Sequence, residues 1–108
     1  MKNIFLAFLT LLSYSAFSVS HTILINGTAY SPSSINVEVG DTITISAGSG
    51  HPLVQVDSTT WQANGTTELV GGWGTKTSNY TFEITSTEDI YFVCLAHAHM
   101  SMKGLIMV

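Results

Sequence analysis

Apolar and polar side chains alternate along "SINVEV", where Ile35, Val37 and Val39 fall on one face. Gly40-Asp41 interrupts the run, and Ile43 and Ile45 resume it in "TITIS". A period of two on either side of a turn predicts two half-buried strands. Pro32 stands just ahead of them, where no ladder donor is needed. "YTFEIT" alternates again through Tyr80, Phe82 and Ile84, and "HTILING" and "PLVQV" read as further short strands. "IYFVC" and "GLIMV" are unbroken apolar runs of strand length, the pattern of central strands covered on both faces. No helical period is sustained from residue 21 onward. Residues 57–79 are too long for a plain hairpin loop and are expected to hold a short edge strand or a turn of helix. Trp61 and Trp73, in that segment, are expected to be packing residues. The whole predicts an all-β domain, a small antiparallel sandwich or barrel of about seven or eight strands.

The first twenty residues break this pattern. Lys2 precedes the apolar "IFLAFLTLL", too short to span a bilayer, and small residues follow in "SAFSVS". This is the form of an export signal, removed to leave a domain over 21–108, with an uncleaved membrane anchor as the alternative reading. Ala16 and Ser18 fit cleavage before Val19, and Ser18 and Ser20 fit cleavage before His21. Removal leaves Lys76 and Lys103 against seven acidic residues, a net charge near −5. Such a surface disfavours nucleic acid, whose affinity depends on neutralising phosphates, and suits a protein partner. After cleavage nothing remains to hold the chain in a membrane. A periplasmic or otherwise extracytoplasmic monomer is expected.

Cysteine usage changes the picture most. An exported chain with one cysteine, Cys94, has no internal disulfide, and a lone thiol there must be buried or bonded to something. Cys94 ends an apolar strand in "CLAHAHMSMKG", which also holds His97, His99, Met100 and Met102. Thiolate and thioether are soft ligands that favour copper, and imidazole suits it too. One further histidine would complete a trigonal His₂Cys site with a weak axial methionine. His51, between "AGSG" and "PLVQV", is the obvious candidate. Zinc is the rival metal, but a structural zinc site wants a hard or thiolate fourth ligand rather than a thioether.

The stretch from Tyr30 to Val108 resembles the blue copper proteins of the plastocyanin, pseudoazurin and amicyanin group, the cupredoxins. The likeness rests on "YSPSSINVEVGDTITI", on a histidine after it, and on Cys-x-x-His-x-x-x-x-Met-x-Gly at the end. It implies a Greek-key sandwich holding one type 1 copper ion, with His51, Cys94, His97 and Met102 as ligands. A shorter amicyanin-like loop would choose Met100. In both loop types, however, the methionine stands beside x-Gly and the last strand, as only Met102 does. Longer loops would use His99, but their methionine would fall on Lys103 or Gly104. Pro52 departs from the family pattern, which often has asparagine there to brace the cysteine loop.

By the same resemblance the chain is a one-electron carrier between redox proteins, such as a cytochrome or a copper or haem oxidoreductase, and not an enzyme. His97 would lie near the surface in an apolar patch, with Leu53, Leu95 and Ala98 as candidate lining. A copper-binding, delivery or resistance protein on the same fold is the alternative, since His99, Met100 and Met107 offer extra ligands. Cleavage before His21 would free an amine beside an imidazole, the start of an exposed copper site for oxygen chemistry, but no motif places a second histidine near it.

Overall fold

The computed structural model describes residues 17–108, and the expected export signal lies almost wholly outside the described residues. Among the described residues there are eight strands: β1 (Ser20–Asn26), β2 (Ala29–Ser31), β3 (Ser34–Asn36), β4 (Thr42–Ile45), β5 (Leu53–Val56), β6 (Tyr80–Glu83), β7 (Ile90–Cys94) and β8 (Lys103–Met107). They form two four-stranded sheets, ordered β2-β1-β4-β6 and β3-β8-β7-β5. The expected all-β sandwich is what the chain builds.

The sheets are mixed rather than wholly antiparallel. β1 runs parallel to β4, and β3 runs parallel to β8. The chain changes sheet after each strand from β2 to β6, so most neighbours in a sheet are not joined by hairpins. A period of two says which face a residue takes, not which way its partner runs.

Alternation sets the core. Ile23, Ile43 and Ile45 of one sheet meet Leu53, Phe92, Cys94 and Ile106 of the other, and all seven are fully buried. Burying each of the larger side chains contributes about 1.5–3 kcal/mol. Trp73 joins this core against Tyr80, Phe82 and Phe92. β3 stops earlier than the pattern suggests. Val37 is buried just beyond it, whereas Val39 turns out to solvent ahead of Gly40, whose φ is +99°.

β7 is unbroken in its apolar run because both of its faces are covered. Phe92 and Cys94 face the sandwich interior, while Val93 packs with Val54, Val56 and Ala98 under Trp61 and Tyr91. Trp61 belongs to helix α1 (Ser58–Gln62), the helical turn expected within 57–79. Asp57 caps it by accepting the Thr60 N–H at 2.7 Å, a bond that also holds the Asp57 carboxyl below its ordinary range. The Trp61 indole donates to the Gly104 carbonyl at 2.9 Å, and Lys103 Nζ donates to the Trp61 carbonyl at 2.7 Å. Both tryptophans are packing residues. No helix among the described residues is long and apolar enough to cross a membrane.

Candidate metal centre

Two side chains of one loop and a third from 43 residues upstream of Cys94 meet at one end of the sandwich. Cys94 Sγ lies 3.8 Å from His51 Nδ1 and 3.6 Å from His97 Nδ1. One donor atom from each of the three falls within 4.8 Å of the others, and the two imidazole centroids are 4.9 Å apart. Cys94 is buried, and each histidine keeps part of its surface exposed.

Local backbone bonds explain why these residues converge. His51 closes a tight turn by exchanging two hydrogen bonds with Gly48, at 3.1 and 3.2 Å. The turn leads through Pro52 into β5, where Leu53 pairs with Cys94 across the sheet. Pro52 cannot donate, but its carbonyl accepts the Leu95 N–H at 2.8 Å. The two turns are therefore joined by main chain at the position where the family often uses an asparagine side chain.

The loop from Cys94 to Met102 is closed on itself. The His97 carbonyl accepts the N–H groups of both Met100 and Met102, and the Cys94 N–H donates to the Met102 carbonyl at 2.9 Å. A short 3₁₀ turn spans Ala98–Met100, and Ser101 follows it at φ 64°, uncommon for a residue with a Cβ. The Asn64 amide donates to Ser101 Oγ at 3.0 Å, tying the loop to the end of α1. Neither Asn64 nor the Pro52 carbonyl could be singled out from sequence, because each acts through a partner about forty residues away.

The competing residues of this turn separate by burial. Met102 is 0% exposed and shares a buried cluster with Cys94, whereas Met100 is 53% exposed. His99 is exposed and stands outside the three-residue cluster. The expected surface lining is corrected in part. Leu53 and Ala98 are buried in the two core clusters, which leaves half-buried Pro52 and Leu95 and exposed Met100 as apolar sequence neighbours of the ligands that keep surface. Tyr30 lies beneath, with its ring edge-on to Phe92 at 4.9 Å. Its hydroxyl finds no partner among the described residues, and burial, then the nearby Cys94, pushes its ionisation well up.

A thiol and two imidazoles in mutual reach, over a buried thioether, fit copper by donor chemistry alone. The model of the copper-binding proteins of the plastocyanin/azurin family matches residues 17–108. The chain belongs to that family.

Solved structures agree on the fold. A pseudoazurin from Sinorhizobium is 22% identical with a TM-score of 0.63, over 83% of this chain and 73% of that one. The oxidised plastocyanin of Dryopteris crassirhizoma is 16% identical with a TM-score of 0.55, over 81% of this chain and 98% of that one. The copper-containing nitrite reductase of Thermus scotoductus SA-01 is 19% identical with a TM-score of 0.55, over 86% of this chain but only 22% of its own. No curated protein matches the chain by sequence. Copper is the cofactor of the plastocyanin/azurin family, and the donor set of this member accommodates it.

Proposed function

We propose that the protein is an exported one-electron carrier, with His51, Cys94 and His97 as the close copper ligands and Met102 as the weak axial one. What supports this most is the convergence of one sulfur and two imidazole nitrogens within 4.8 Å at the rim of a rigid sandwich. Copper, when bound, supplies a one-electron couple whose two states prefer different geometries.

The chain's part is to hold the donors still. The Gly48–His51 turn, the Leu95–Pro52 bond and the doubly used His97 carbonyl hold the segments that carry the three donors. A frame set this way resists rearrangement on electron transfer. His97, partly exposed among Leu95, Pro52 and Met100, is the proposed route for the electron. Its redox partner would dock there through a small, short-lived interface.

The visible and EPR spectra of the copper(II) form test this reading. An intense thiolate-to-copper charge-transfer band with narrow copper hyperfine splitting is expected, and a pale, ordinary copper spectrum would overturn it. Exposed Met100 and His99 at the rim favour a second reading, copper hand-off by the same site. Fast electron exchange with a cytochrome supports the carrier, whereas copper transfer to a metal-free acceptor with slow electron exchange supports the second.

A further inference from the structure

At the opposite kind of site, a buried carboxylate with unusual company, the chain points to how it is processed. Asp41 is 5% exposed, yet it carries three donors. Its Oδ1 accepts the Val19 N–H at 3.0 Å, and its Oδ2 meets His21 Nε2 at 2.9 Å and the Glu38 N–H at 3.1 Å. Val19 is held from its other side too, since its carbonyl accepts the Thr42 N–H at 3.0 Å. The next residue, Ser20, pairs with Thr42 in the β1–β4 ladder. Just upstream, Phe17 is 88% exposed and Ser18 is exposed.

We infer that export processing cuts between Ser18 and Val19, and that the new Val19 α-ammonium docks on the Asp41 carboxylate as the anchor of β1. Resting on the export reading above, this selects one of the two cleavage positions that small residues allow. Water adds across the Ser18–Val19 bond, so that Ser18 leaves as a carboxylate on the leader and Val19 nitrogen takes the proton. A peptide N–H already 3.0 Å from Oδ1 becomes a cation in the same place, with Ala16 and Ser18 as the small residues before the cut. Cutting before His21 would discard the Val19–Asp41 and Val19–Thr42 bonds and the first ladder pair. Asp41, His21 and Glu38 are the titratable residues that line one surface pocket with Val19. An adjacent carboxylate favours its charged form and raises its pKa above the ordinary 7.7–8.0 or so.

Expression of the full chain in an exporting bacterial host, followed by intact mass, gives the first readout. Loss of residues 1–18 is expected; a start at Phe17 or His21, or a retained leader, overturns the inference. NMR titration of the Val19 α-amine in the mature protein gives the second. Its pKa is expected about one unit above the ordinary value and back in the ordinary range in Asp41→Asn. Equal values in both proteins overturn the docking. Should Asp41→Asn fail to fold, Nα-acetylation of the folded wild type serves instead. A lowered urea midpoint supports the ion pair, and an unchanged one refutes it. The copper spectrum is read separately, so failure here leaves the metal reading standing.

Discussion

Gly104 is the glycine of Met-x-Gly, and its place opposite Phe92 in the β7–β8 ladder says why no other residue serves. A Cβ there would lie 2.1 Å from Phe92 Cζ, 2.6 Å from Cε2 and 2.8 Å from Cε1. Phe92 has nowhere to go, being fully buried with Tyr30 edge-on at 4.9 Å and Trp73 beyond at 6.3 Å. Overpacking of a tight core costs about 1–3 kcal/mol, occasionally more, and three sub-contact approaches put Gly104→Ala at about 3 kcal/mol or above. A domain of this size has roughly 5–13 kcal/mol in total, so the loss is large. Urea unfolding of the metal-free protein measures it, since bound copper would raise apparent stability by mass action. Phe92→Leu removes the clashing atoms, at its own cost of about 1–2 kcal/mol for the smaller side chain. The double variant is expected to be more stable than the sum of the singles by over about 1 kcal/mol. Additivity within about 0.5 kcal/mol, or a Gly104→Ala cost below about 1 kcal/mol, would refute the steric account.

Cys94→Ser is expected to abolish the charge-transfer band while leaving the far-ultraviolet circular dichroism of the sandwich intact. Met102→Leu, at a fully buried position, should move the reduction potential and the visible spectrum more than Met100→Leu at an exposed one, as voltammetry on both will read. The folded Asp41 carboxyl is held below its ordinary value by its bond to His21, then by the N–H groups of Val19 and Glu38. Its contribution is therefore complete above about pH 4 and fades as pH falls through the lowered folded value. The urea midpoint of Asp41→Asn should accordingly be lower at pH 6 and fall less steeply below pH 4 than that of the wild type. Trp61→Phe removes the donor to the Gly104 carbonyl and should cost about 1–3 kcal/mol in the same unfolding experiment.

How far the sequence reaches depends on what each residue answers to. Ile43, Ile45, Tyr80 and Phe82 answer to a nearby period, so their strands were legible. β2 is three residues long and pairs Tyr30 with Ile25, too short to leave a pattern of its own. Val39 continued the alternation yet faces solvent, because the chain had already turned toward Gly40. In the metal centre, spacing after Cys94 picked out His97, while His51 came from composition and resemblance. The burial of Leu53 and Ala98 was not legible, since closeness to a ligand in sequence says nothing about which side of the sheet a neighbour takes. The Asp41 clamp was hidden for a related reason: the Glu38 N–H comes from the same turn, but Val19 and His21 reach Asp41 only through the parallel β1–β4 pairing.

The double cover of β7 divides the centre by timescale. The Cys94 amide, on buried β7 and bonded to the Met102 carbonyl, should exchange only when the whole sandwich opens. His51 and His97 are carried by turns outside the strands, where amides such as Met100 N–H on the His97 carbonyl should exchange sooner. Motion at the rim and loss of the fold are then separate events with separate clocks. The rim can fluctuate in place while the sulfur-bearing floor stays assembled beneath it.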